Sequence, residues 1–337
     1  MLTQFVDEGE QVMKLQQVNA NIYVARMPLP NSLRWVNTYL LHGSAGWTII
    51  DPGLRNNETE SAWVSLMGEM DIHAGNTASI VLTHYHPDHS GIAGWLQQQL
   101  SVPVWLSEIG WNHVERLWDG RSPMTVDMQQ LYRKHGAPIA VVESIGVHMD
   151  SFIPQVTPLP DISFIRDGDL VTLGDDAWQA LETGGHAPGH MSFYHAEERI
   201  ILCGDHVLPQ ITPNVSLMPN SDPEPLQSFL IGLERLAALD VELALPGHRH
   251  PFQHFRSRAE ELIQHHEARL QEMQDVLHKP MTAYELCCAS FGTLDRLTVH
   301  QFRFAMGETL AHLVELQRRG LAMTTSASGE FMLWKSS

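Results

Sequence analysis

The sequence predicts a large α/β domain followed by a small, mainly helical one, and three observations carry that expectation. Up to about residue 252, short β-rich runs alternate with helical runs. Several of the apolar runs end on a histidine or aspartate, either directly or within a tight turn. Beyond residue 252 the pattern becomes helical, with apolar positions near a 3.6 period, and closes in a hairpin.

The elements follow in order. NIYVARM, NTYLLHG and GWTIID, between residues 20 and 52, are strands separated by Pro, Asn, Gly and Ser. ESAWVSLMGEM (60–70) is a helix, SIVLTH (79–84) a short strand, GIAGWLQQQL (91–100) a helix and VPVWLS (102–107) a strand. Residues 109–160 interrupt the alternation as a helical cap, with helices around 109–118 and 124–135 and then a Pro-rich stretch. Strands resume in ISFIRDGDLVTLG (162–174), AWQALETGG (177–185), MSFYHAEERIILCGD (191–205) and ELALPG (242–247), with a helix at 225–239. The domains are therefore expected at 1–252 and 253–337. The second holds a long helix from FRSRAEEL, a short one in TAYELCCASFG and a third over 299–320 that Gly320 stops. LAMTT and EFMLW pair around SASG, so the pattern is winged-helix-like.

With 337 residues, 43% of them hydrophobic, the chain can bury a sizeable core. A net charge of −18 opposes binding to nucleic-acid phosphates and anionic membranes. Residues 253–337 hold nine Lys/Arg and ten Asp/Glu, without the clustered cations that phosphate-backbone binding needs. That tail is expected to pack on the first domain or form a homodimer face. Three cysteines, Cys203, Cys287 and Cys288, make no disulfide framework, which fits a reduced, cytoplasmic setting. The segment MLTQFVDEGEQVMKL is not of signal-peptide type, and no apolar stretch has the length of a membrane span.

The twenty histidines are the unusual feature, and their spacing is informative. Thr83-His84-Tyr85-His86-Pro87-Asp88-His89 follows the apolar run SIVL. It offers four ligands in six residues: His84 and His86 to one metal, Asp88 and His89 to a second. Gly185-His186-Ala187-Pro188-Gly189-His190 is a tight loop from which His190 is expected to complete the first site, with His186 hydrogen-bonding nearby. The run RIILCGD ends on Asp205, a carboxylate able to bridge two cations, followed by His206. Leu245-Pro246-Gly247-His248 presents His248 to the second site, whereas His250 and His254 are expected outside it.

These motifs, THYHPDH, GHAPGH, GDH and PGH, resemble those of the metallo-β-lactamase superfamily across about residues 20–252. The resemblance implies an αββα sandwich holding two divalent metal ions, zinc first and iron or manganese as alternatives. The ligands carried over are His84, His86 and His190 for one ion, Asp88, His89 and His248 for the other, and Asp205 as the bridge. It also implies hydrolysis by a metal-bridging hydroxide, with Asp88 orienting that nucleophile. Residues 253–337 resemble the winged-helix tail of a branch that includes thioester hydrolases and an endoribonuclease.

Aspartate at position 205 excludes the β-lactamase classes that place cysteine there. The run HVLPQITPN after it departs from glyoxalase II and from acyl-homoserine lactonases. A small-molecule acyl substrate, and thioester cleavage in particular, is the leading expectation. Lactone or carboxylic ester cleavage follows, and endoribonuclease action on single-stranded RNA is the rival. Trp111, Trp118, Met124, Met128, Tyr132, Met149 and Phe152 are expected to line an acyl pocket. Tyr194, His186 and Asp88 are the candidate proton donors to the leaving group.

Overall fold

The structure, a computed structural model, describes residues 15–118, 123–293, 297–326 and 331–337. The N-terminal run read for a signal peptide and the turn of the C-terminal hairpin fall almost wholly outside the described residues. Strands β1 (Leu15–Gln17), β2 (Ile22–Pro28), β3 (Trp35–Gly43), β4 (Gly46–Ile50), β5 (Thr77–Val81), β6 (Val104–Ser107) and β7 (Ile162–Ile165) form one sheet in sequence order. Strands β8 (Leu170–Leu173), β9 (Asp176–Glu182), β10 (Met191–His195), β11 (Ile200–Gly204) and β12 (Leu243–Pro246) form a second sheet in reverse order. The segment ISFIRDGDLVTLG therefore feeds both sheets, with Arg166–Asp169 as the crossing.

Side-chain alternation explains why the sheets stack. Tyr39, Leu41, Ile50, Val81, Phe193, Ile200, Leu202 and Leu245 lie in the core between them. Their neighbours Leu40, Ile49, Ile80, Ile201 and Cys203 face the opposite way, into a core shared with helices. Both faces are buried, which gives near-continuous apolar runs in place of an apolar–polar alternation.

Parallel pairs need crossovers, and helices provide them. α1 (Asn57–Glu69) links β4 to β5, and α2 (Pro87–Ser90) with α3 (Ala93–Leu100) links β5 to β6. α1 starts three residues earlier than the apolar pattern indicates, because the Asn56 side chain accepts from Thr59 N at 2.8 Å. The cap, α4 (Glu108–Trp118), α5 (Pro123–Lys134) and α6 (Ile139–Asp150), is itself the crossover between the parallel strands β6 and β7. Helix α6 replaces the irregular stretch expected after residue 135. No proline lies between Pro138 at its N-cap and Pro154, and Val141, Val142, Ile145 and Met149 bury one face. Five of the seven residues expected to line an acyl pocket, Trp118, Met124, Met128, Tyr132 and Met149, are buried in this core and build the cap itself.

α7 (Pro225–Ala237) joins β11 to its parallel neighbour β12. The C-terminal segment consists of α8 (Phe255–Val276), α9 (Ala283–Phe291), α10 (Val299–Arg318) and the antiparallel pair β13 (Ala322–Ser326) and β14 (Met332–Ser336). Thr282 with Glu285, and Thr298 with Gln301, form capping boxes that start α9 and α10. α10 packs on α6, α7 and α8, so this segment braces the cap and the catalytic part together. Among the described residues no helix is long and apolar enough to cross a membrane.

Candidate metal centre

The chemistry-bearing residues gather at one end of the sandwich, where strands of both sheets terminate. β5 ends at Val81, and the chain continues through Thr83, His84 and His86 into α2. Pro87 opens that single turn, which carries Asp88 and His89 back toward the sheet. Asp205 follows β11, and His248 follows β12.

Three imidazoles form the first cluster: ligand atoms of His84, His86 and His186 lie within 4.8 Å of one another. His84 Nε2 and His86 Nδ1 are 3.0 Å apart. Asp88, His89 and His248 form the second cluster by the same measure. Asp205 stands between the two, its Oδ2 lying 3.3 Å from His248 Nε2, 3.4 Å from His89 Nε2 and 3.7 Å from His186 Nε2.

The expectation for GHAPGH needs correction: the structure places His186, not His190, in the first cluster. Both ring nitrogens of His190 are already engaged, Nδ1 with Thr183 Oγ1 at 2.9 Å and Nε2 as acceptor from the Asp205 backbone N–H at 3.2 Å. His186 donates Nδ1–H to the Asn214 carbonyl at 2.8 Å, and its Nε2 is buried without a hydrogen-bond partner. The loop takes this form because Gly185 and Gly189 have φ of +102° and +70°. A Cβ at Gly185 would also run into the backbone of Phe229 in α7.

His89, His248 and His84 follow one rule, anchoring Nδ1 outside the cluster and aiming Nε2 inward. His89 Nδ1 is 2.9 Å from Asp51 Oδ2, and His248 Nδ1 is 3.0 Å from the Trp35 carbonyl. His84 Nδ1 is 2.9 Å from Thr83 Oγ1. Such outer partners fix ring orientation in metal sites. Asp51 was missed by sequence reasoning. Besides His89 it accepts from Thr83 N at 2.7 Å and Thr83 Oγ1 at 2.6 Å. The available signal was an acid ending the apolar run WTII, the same form that singled out Asp205.

Electrostatics separates the clusters. Burial, then neighbouring imidazoles, hold His84 and His86 well below the ordinary histidine range, so both are neutral with a lone pair to offer. Burial also disfavours charge on His89 and His248, yet Asp205 and Asp88 outweigh it, raising His89 and pushing His248 up to about 10. His248 and His89 in turn hold Asp205 well below the carboxylate range despite its burial.

The donor set fits divalent metal ions. His89 Nε2, His186 Nε2, His248 Nε2 and Asp205 Oδ1 are buried and have no hydrogen-bond partner, although buried polar atoms are normally satisfied. Nitrogen and carboxylate oxygen are the donors that zinc and related ions take. A metal ion entering here competes with protons on His89 and His248. Of the remaining motif histidines, His206 packs against Phe229 and His250 lies 2.8 Å from Arg26, both outside the two clusters.

Gly247 has a packing duty in this centre. A Cβ there would collide with Asp205 Oδ1 and stand 2.6 Å from His89 Cε1. Gly247→Ala is expected to displace both side chains and weaken metal retention by about 10- to 100-fold, the cost of a disturbed outer shell. Competition with a chromophoric chelator measures it, and unchanged retention would contradict the packing described.

Comparison with known proteins agrees with this geometry. Residues 34–248 match the family model described as metallo-beta-lactamase superfamily, and residues 270–331 match its C-terminal-domain model, described as metallo-beta-lactamase-like. The chain is 26% identical over 327 residues to the probable metallo-hydrolase YqjP of Bacillus subtilis, covering 94% of this chain and 98% of that one. It superposes on a metallo-beta-lactamase family protein of Thermus thermophilus with a TM-score of 0.83 and 32% identity, over 95% of this chain and 100% of the other. It is 25% identical over 231 residues to the atrochrysone carboxyl ACP thioesterase of Aspergillus fumigatus, covering 68% of this chain and 56% of that protein.

Proposed function

Because this chain belongs to the metallo-beta-lactamase superfamily and is a metal-dependent hydrolase, we propose that it holds two zinc ions and hydrolyses a thioester of a small acyl substrate. His84, His86 and His186 would hold one ion and Asp88, His89 and His248 the other, with Asp205 shared. Bound divalent ions supply Lewis acidity, which lowers the pKa of water and polarises a carbonyl.

The chain's own residues do the rest. Asp88 is half-buried at the rim of the second cluster, its Oδ2 3.3 Å from His248 Nε2. Burial opposes its ionisation, but His89 and His248 hold its carboxyl well below the ordinary range. As a carboxylate it can accept a hydrogen bond from attacking water and fix its lone pair toward the carbonyl. Asp51 and the Trp35 carbonyl keep His89 and His248 in register.

The observation that carries thioester cleavage is the lack of a free proton donor among the candidates. Tyr194 donates its hydroxyl to the Asp240 carbonyl at 2.8 Å. His186 sits inside the first cluster, and Asp88 is ionised. A thiolate, with a thiol pKa of about 8.5, leaves without protonation, whereas an alkoxide or amide does not. The thioesterase relative supports the same reading.

The test is a side-by-side panel on the metal-loaded protein: acyl-coenzyme A, acyl-glutathione, a homoserine lactone, an aryl ester, nitrocefin and single-stranded RNA. Thioester turnover is expected to exceed the others by at least about 10-fold in kcat/KM and to vanish on chelation. RNA cleavage without thioester turnover would overturn the reading.

A further inference from the structure

Helix α10 lies in the C-terminal segment, yet it reaches the metal centre. Asn214 joins them. Its carbonyl accepts from His186, and its side-chain amide donates to the Phe304 carbonyl at 3.3 Å and to Glu308 Oε2 at 3.0 Å. One turn earlier, His300 Nδ1 meets His148 Nε2 of the cap at 3.2 Å, and the charge of Asp88 is felt at His300. Arg303 lies on the same helix, between His300 and Phe304 in sequence. Its positive charge is felt by Tyr85, the residue between His84 and His86, and by Tyr132, His148 and His300.

Arg303 is half-buried and faces no anion among the described residues. Its Cζ stands 4.4 Å from the centre of the Phe304 ring, and its Nε is buried without a hydrogen-bond partner. Among the described residues no carboxylate forms an ion pair with it and no acceptor meets its guanidinium. His148 and His300, each lowered to about 4 by burial and then by Arg303, are neutral. A shielded guanidinium without a partner is costly. In a chain with 39 acidic residues against 21 basic ones, an internal carboxylate would have been easy to supply.

We propose that Arg303, flanked by His148 and His300, is an oxyanion-binding subsite beside the metal centre and takes a carboxylate or phosphate carried by the substrate. Contact with the Phe304 ring restrains the guanidinium, whose Nη donors can make two parallel hydrogen bonds to an oxyanion. The two neutral imidazoles are hydrogen-bonded to each other, which leaves one N–H between them to donate without adding charge. A local cation is also what an anionic substrate needs to enter a molecule of net charge −18. The subsite rests on the acyl-substrate reading above and refines it to an anionic substrate.

The experiment compares wild type, Arg303→Gln and Arg303→Lys, all metal-loaded. Three substrates are used: the butyryl thioester of N-acetylcysteamine, which is neutral; the succinyl half-thioester of the same thiol; and butyryl-coenzyme A. Arg303→Gln is expected to lower the anionic-to-neutral ratio of kcat/KM by about 10- to 100-fold, with Arg303→Lys recovering part of it. The succinyl arm responds if the anion is on the acyl group, the coenzyme A arm if it is on the thiol. Thermal shifts with succinate and with inorganic phosphate give a readout independent of turnover, and the shift should shrink in Arg303→Gln. An Arg303-dependent shift without any thioester cleavage would keep the subsite and remove the thioesterase reading. Unchanged ratios with unchanged shifts would overturn the subsite, as would equal losses on all three substrates.

Discussion

Asp205→Ala is expected to lower hydrolysis by at least about 10²- to 10³-fold while the chain stays folded. One carboxylate oxygen faces three buried imidazole nitrogens at 3.3–3.7 Å, drawn from both clusters. Its removal takes away the donor common to the two positions and leaves His89 and His248 without their strongest charge partner. Metal content measured by elemental analysis should fall below two ions per chain. Circular dichroism should retain the wild-type spectrum, because the core between the sheets does not include Asp205. Near wild-type turnover with full metal content would sink the assignment of Asp205. Asp205→Asn is the stricter variant, since it keeps the shape and removes the charge.

The second large effect separates two histidines four residues apart. His186→Ala is expected to cost about 10²- to 10³-fold in turnover and to lose one ion per chain. His190→Ala is expected to retain both ions and lose only about 10- to 100-fold, as an outer partner does. The reason is geometric: His186 Nε2 is unpartnered and faces the cluster, whereas His190 holds Thr183 and the Asp205 backbone. The smaller loss arises because Asp205 N–H would no longer find its acceptor. The opposite ranking in metal stoichiometry would restore His190 as the ligand.

Much of the fold was legible because burial writes itself into local pattern. Sheets buried on both faces give short apolar runs, and these located nearly every strand within a few residues. Gly320 marked the end of the last helix, just past Arg318. Helix α6 was missed because the prolines on either side of it masked a twelve-residue run free of them. The cap residues expected to form an acyl pocket are amphipathic-helix cores. Periodicity tells that a side chain is buried, not whether it faces a ligand or a neighbouring helix.

The sequence alone located most of the candidate donors, because strand ends place consecutive side chains in one small region. His84, His86, Asp88, His89, Asp205 and His248 all arrive at the same end of the sandwich for that reason. Only the tertiary structure decided which histidine of GHAPGH turns inward, since two glycines with positive φ send the loop along a path no local propensity specifies. It also decided the partnerships of Asp51 with His89 and of Asn214 with both His186 and helix α10. These join residues 38 apart in the chain, and a C-terminal helix to the GHAPGH loop. Such contacts depend on how sheets and helices stack, and stacking is a property of the whole chain.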